Sequence, residues 1–329
     1  MSVLKLRPDF KDYIWGGTRL REEFGKQCCL ERIAESWELA CRKDGNCVIA
    51  QGEFAGKALG EYIAARGRDV LGTDCAGSGN FPLLVKLIDA RDDLSVQVHP
   101  TDEYASRVEG GLGKTEMWYV IDCTEGASLI YGFKESITKQ QFAQAIRQGK
   151  VLDEVNRVTV RKGDVFFIPA GTLHAIGKGI LIAEIQQSSN ATYRVYDYGR
   201  TGSDGKPRDL HIDKALDVTD TALTKQTEQF EAVRAGGFDY RLLARCRYFT
   251  AVKFDVDSSS ELFIDERSFA HLLMLDGSAE VGSRGKLKAG KGDSFFIDAA
   301  SGSVRISGKC SFILTRNGCE ERIEGLVKE

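Results

Sequence analysis

Short apolar runs broken by glycine and charged turns dominate the chain, and most of them alternate with a period of two. The stretch from Gly163 to His174 is the clearest case. Val165, Phe166, Phe167 and Ile168 form an apolar strand that Pro169 must end, because proline has no N–H for the ladder. Gly171 then permits a tight reversal, and a histidine is delivered at the start of the next strand. Phe81 to His99 predicts two strands around a charged turn at Asp89–Asp93. In the second of these, Ser95, Gln97 and His99 share a face, since alternate residues point the same way. Lys114 to Asp122 predicts another strand, with Lys114 and Glu116 on one side, and Ile180–Gln187 and Thr192–Tyr198 follow. Helical spacing is confined to Phe54–Leu71, a short segment opened by Thr101, a capped segment from Thr138 to Gly149, and Pro207–Val218.

From about residue 225 the strand pattern returns with an internal echo. Gly292-Asp-Ser-Phe-Phe-Ile297 repeats Gly163-Asp-Val-Phe-Phe-Ile168, and His271-Leu-Leu-Met-Leu-Asp276 echoes Met117 to Asp122. In the first register Ser303 stands where His174 stood, and in the second, aligned on the Asp, Ala270 stands where Glu116 stood. The sequence therefore predicts two units, residues 1–224 carrying the chemistry and residues 225–329 repeating the frame without its polar side chains.

Composition adds limits. The 329 residues leave room for two domains, and 42% hydrophobic with 28% charged residues is ordinary for a globular chain. A formal net charge of −3, with basic residues spread among acids, predicts no nucleic-acid or membrane partner. The first residues, MSVLKLRPDF, hold no apolar signal region, and no apolar run reaches the ~18 residues of a membrane span. Nine cysteines, Cys319 among them, show no Cys-x-x-Cys spacing, which predicts reduced thiols and a cytoplasmic protein.

With only four histidines, the metal-ligating possibilities are few. The Gly-x5-Pro-x-Gly-x2-His spacing ending at His174 resembles the second signature of the cupins, small jelly-roll barrels that hold a metal. Gln97, His99, Glu116 and His174 then collect in one barrel. Two imidazoles, a carboxylate and an amide oxygen suit Zn²⁺, one ion per chain. The expected fold is mainly β: a cupin-like jelly-roll barrel with helical insertions, followed by a second, smaller cupin-like β-sandwich lacking metal ligands. His211 is expected at the surface and His271 in packing.

A closer resemblance rests on Pro82-Leu-Leu-Val-Lys86, Leu94-Ser-Val-Gln-Val-His-Pro100, Gly113-Lys-Thr-Glu-Met117 and the Pro-x-Gly-x-x-His turn, in this order and with these gaps. Over residues 10–200 the chain resembles type I mannose-6-phosphate isomerases (phosphomannose isomerases) of the short bacterial form. The resemblance implies an aldose–ketose isomerase that interconverts mannose 6-phosphate and fructose 6-phosphate by proton transfer through an enediol. It implies Gln97, His99, Glu116 and His174 as zinc ligands and Arg194 as catalytic. Lys86, Ser95, Lys114 and Glu184 would line the substrate site, with Trp15 and Glu35 at its mouth.

Such chemistry needs a base, a cation beside the developing oxyanion and a phosphate clamp. Arg194 suits the oxyanion or the phosphate, although it could also stack on Tyr193, Tyr196 and Tyr198. Lys86 and Ser95, expected on neighbouring strands, suit the phosphate. Glu184 and Lys114 compete as base. The expected partner is a small sugar phosphate, acted on by a monomer. Two other readings of the same residues are an iron-dependent cupin dioxygenase and a non-catalytic sugar-phosphate-binding bicupin. The lysines and Arg194 have no role in the dioxygenase.

Overall fold

The computed structural model describes residues 3–76, 79–202, 205–282, 286–318 and 323–328. Two sheets of the first half face each other and hold the candidate residues between them. One has six strands, in the order Val165–Ile168, Glu116–Cys123, Ile180–Gln187, Leu83–Ala90, Glu35–Leu39 and Asp9–Lys11. The other has five, in the order Val155–Thr159, Ser128–Phe133, His174–Ala175, Val96–Val98 and Tyr193–Tyr196. An apolar layer including Ile88, Trp118, Phe166, Ile168, Ile176 and Ile182 fills the space below the site. Burying it removes apolar surface from water and fixes the separation of the sheets.

The Gly163–His174 segment forms as its sequence dictates. The strand Val165–Ile168 stops at Pro169, and Gly171 takes φ 94°, a left-handed value that a side chain would disfavour. The chain thereby crosses from the six-stranded sheet to the five-stranded one, where His174 pairs with Gln97 and Tyr131. The helix Lys139–Arg147 is capped by Thr138, whose hydroxyl accepts the Gln141 N–H at 3.1 Å.

Several expectations need correction. The helix within 54–71 runs only over Leu59–Arg66; Gly67 at φ 89° breaks it from a 3₁₀ turn at Arg68–Leu71. The helix expected from Pro207 starts at Ile212, because residues 207–211 stay extended against Arg194 and Asp197. His211 is half-buried, and its Nδ1 accepts the Arg194 N–H at 3.3 Å. Lys86 and Ser95 lie on facing sheets rather than neighbouring strands, since the turn after Ala90 carries the chain across the barrel.

With two strands supplied by the first half, Val3–Arg7 and Val48–Ile49, the second half builds the rest of a twelve-stranded sheet system around its own apolar core. Its register bears out the internal echo: Ile168 lies opposite Glu116, and Ile297 lies opposite Ala270. Two strands cross the expected division at residue 224. Val3–Arg7 pairs with Ser294–Ile297 and so joins the sheet of the second half. Val48–Ile49 pairs with Val3–Arg7 in turn. Among the described residues the cysteines are free, while Cys319 lies outside them. No described helix is long and apolar enough to cross a membrane.

Candidate active site

Each sheet contributes a different chemistry. The six-stranded sheet brings Glu35, Lys86, Glu116 and Glu184, and the five-stranded sheet with its flanking loops brings Ser95, Gln97, His99, His174 and Arg194. A cavity of about 310 Å³ opens between them. Lys86, Ser95, Gln97, Lys114, Glu184 and Arg194 line it. Trp15 and Glu35 line it as well, so every expected substrate-site residue reaches the same space.

His99, Glu116 and His174 lie behind that lining, fully buried, with one ligand atom from each within 4.8 Å of the others. His99 Nδ1 bonds the Ala191 carbonyl at 2.8 Å, and His174 Nδ1 bonds the Thr172 carbonyl at 2.8 Å. A carbonyl only accepts, so both Nδ1 atoms carry the hydrogen and both Nε2 atoms offer lone pairs. Those two Nε2 atoms are 3.1 Å apart. Burial, then the Lys114 charge, pushes His174 down to about 3 and His99 well below its ordinary value. Neither ring is therefore charged at neutral pH. Two facing lone pairs beside Glu116, whose Oε1 has no hydrogen-bond partner, form a donor set that fits a divalent cation. Gln97 pairs across the ladder with His174 and accepts the Ser95 hydroxyl at 3.3 Å.

The remaining charges are paired unevenly. Lys86 lies 3.3 Å from Glu35 and 3.2 Å from Glu184. Burial alone would lower its pKa, but these two carboxylates raise it. Glu184 also accepts the Trp118 indole N–H at 3.0 Å. Despite its burial, Lys114 and Lys86 hold Glu184 below the usual carboxylate range, whereas burial and Glu184 together raise Glu116. Lys114 contacts Glu116 directly and reaches His99 Nε2 at 2.9 Å. Arg194 does not stack on tyrosine. It donates to Ser95 Oγ at 3.3 Å and to the Asp209 carbonyl at 2.8 Å, and it is Arg200 that covers the Tyr198 ring.

Sequence reasoning missed Tyr13, Trp37 and Arg208, which also line the cavity. Trp37 could have been suspected from its alternation with Glu35, whose carboxylate accepts the Trp37 N–H at 2.7 Å. Nothing local marks Arg208.

Comparison with known proteins points the same way. Residues 3–119 match the catalytic domain of type I phosphomannose isomerase, and residues 240–317 match the mannose-6-phosphate isomerase cupin domain. The probable mannose-6-phosphate isomerase GmuF of Bacillus subtilis is 38% identical over 314 residues, spanning 95% of this chain and 98% of its own. The chain belongs to the type I phosphomannose isomerase family. Mannose-6-phosphate isomerase ManA of the same organism is 36% identical over 320 residues, 95% of this chain and 98% of its own. The crystal structure of the mannose 6-phosphate isomerase from Bacillus subtilis superposes with a TM-score of 0.89 at 36% identity, covering 96% of this chain and 99% of that one. These matches extend the resemblance beyond residue 200 into the second half.

Proposed function

We propose that this phosphomannose isomerase family member interconverts mannose 6-phosphate and fructose 6-phosphate, with one zinc ion held by Gln97, His99, Glu116 and His174. The observation that carries the reading is one cavity lined by two lysines, two buried carboxylates and two arginines, with the metal-binding group directly behind its wall. Zinc at that group would supply positive charge beside the sugar oxygens. The proton passes between C1 and C2 through Glu184 or Lys114, which lie 3.9 Å apart and both reach the cavity. Arg194 is permanently charged and takes up the negative charge of the enediolate or the phosphate.

The charge pairing changes one expectation. Lys86 is already matched by two carboxylates, so its charge is spent on Glu35 and Glu184. Among the described residues the Arg194 guanidinium bonds only uncharged groups, a hydroxyl and a carbonyl. The phosphate therefore belongs at the Ser95–Arg194–Arg208 end of the cavity, while Lys86, Glu35 and Trp15 face the sugar. The catalytic unit is residues 1–224, less the two strands given to the other sheet, and residues 225–329 brace it. We place this monomer in the cytoplasm.

The test is turnover of mannose 6-phosphate in a coupled assay, joined to C2 deuterium exchange with solvent. Exchange and turnover together are expected. Binding of the sugar phosphate without exchange would overturn the isomerase reading and favour a binding protein.

A further inference from the structure

Behind the wall of the cavity, just past the strand Tyr193–Tyr196, Asp197 is buried against two arginines. Its Oδ2 accepts Arg208 Nε at 2.7 Å and its Oδ1 accepts Arg208 Nη2 at 2.5 Å, a two-pronged fork. The same Oδ1 accepts Arg200 Nη2 at 2.6 Å. Arg200 is itself fixed: it contacts the Asp93 carbonyl, and its guanidinium lies 5.2 Å from the centre of the Tyr198 ring. Tyr198 adopts φ 56°, a left-handed conformation that a tyrosine takes only where its surroundings compel it. Arg208 lines the cavity and Asp197 does not.

The carboxylate thus stands one layer away from the space a substrate would occupy. It holds the plane of Arg208 while leaving that guanidinium's outer edge on the cavity. Next to it, Arg194 is steadied by Ser95 and by the carbonyl of Asp209, the residue after Arg208. Arg200 and Arg208 share the one carboxylate of Asp197, and Arg194 beside them is held by a hydroxyl and a carbonyl, so this cluster keeps an excess of positive charge. Arginines left to themselves would splay apart and lose their orientation to rotamer freedom.

We propose that Asp197 is a positioning residue for phosphate recognition: it locks Arg208 in the orientation that, beside Arg194, receives the phosphate of the sugar. The proposal rests on the isomerase reading and on the phosphate end assigned above. It predicts an effect opposite to simple electrostatics. Replacing Asp197 by asparagine removes a negative charge near an anion site, which by Coulomb attraction alone would tighten phosphate binding. Loss of the fork loosens it instead.

The experiment measures inorganic phosphate as a competitive inhibitor of mannose 6-phosphate turnover, with KM and kcat recorded alongside, on metal-loaded full-length protein. For Asp197→Asn, Ki and KM are expected to rise about tenfold or more while kcat changes little, as expected when a bond to a charged group is lost from binding alone. Arg208→Ala should raise Ki at least as much, and adding it to Asp197→Asn should cost almost nothing further. Arg208→Lys keeps the charge but loses the fork, so it should weaken phosphate about as much as Asp197→Asn; it serves as the test should that variant not fold. A Ki unchanged or lowered in Asp197→Asn, with Arg208→Ala still raised, overturns the positioning role alone. A Ki unaffected by Arg208→Ala overturns the phosphate end on which it rests. A fall in kcat and melting temperature with Ki unmoved assigns Asp197 a structural role only and also contradicts the proposal.

Discussion

In the first half Glu116 stands opposite Ile168 and Gln186; in the second, Ala270 stands opposite Ile297 and Arg316. The ladders are alike, yet what fills them differs. Around Glu116 lie Lys114, Glu184, His99 and His174, all buried. The core that includes Ala270 holds Leu272, Phe254, Phe295 and Phe312, with Phe254 and Phe312 stacked at 4.9 Å and an angle of 11°. Buried charges cost desolvation even when paired, whereas packed rings gain from leaving water. The same strand-turn-strand frame is therefore spent on chemistry in one half and on stability in the other.

Substitutions can break that contrast from either side. The largest expected effect is His174→Ala, which removes a donor facing His99 at 3.1 Å and should abolish both bound metal and turnover, read by metal analysis and the coupled assay. Next is Arg194→Ala: metal content should persist while the rate falls by several orders of magnitude, and a mild loss would refute its catalytic role. On the other side, Ala270→Glu recreates the Glu116 position without the two histidines, opposite an Arg316 already paired with Asp265. It should gain no metal and lose about 1–3 kcal/mol of stability in denaturant unfolding, on the order expected for overpacking a fully buried alanine site.

A smaller effect concerns His271, fully buried, whose pKa burial pushes down to about 3 against the opposing pull of the Glu38 backbone. The folded state then binds fewer protons than the unfolded one below the ordinary histidine value. Its contribution is complete above about pH 6.5 and is lost as pH falls toward about 3, at most ~1.4 kcal/mol per pH unit. His271→Leu should flatten the acid limb of a stability–pH profile, and an unchanged slope would contradict the assignment.

How far the sequence went depended on the range of each interaction. The turn delivering His174 was legible because Pro169 and Gly171 dictate it locally. The absence of a second Glu116 was legible because a short repeat carries the register. The placement of Lys86 and Ser95 on opposite sheets was not, since an alternating pattern says which residues share a face but not where the chain crosses over. The pairing of Val3–Arg7 with the second half was not legible either, because its partner, Ser294–Ile297, lies near the far end of the chain. Arg208 and Asp197 escaped notice because their pairing depends on a loop folding back on itself. Single charged residues in a polar loop give no signal of it.

The central claim is that His99, Glu116 and His174, with Gln97, hold one divalent ion on which isomerisation depends. Metal analysis of the purified chain, with mannose-6-phosphate turnover measured before chelation, after it and after zinc is restored, tests this most directly. About one ion per chain, activity lost on chelation and regained with zinc, is the expected result. Full turnover by protein stripped of metal would contradict it.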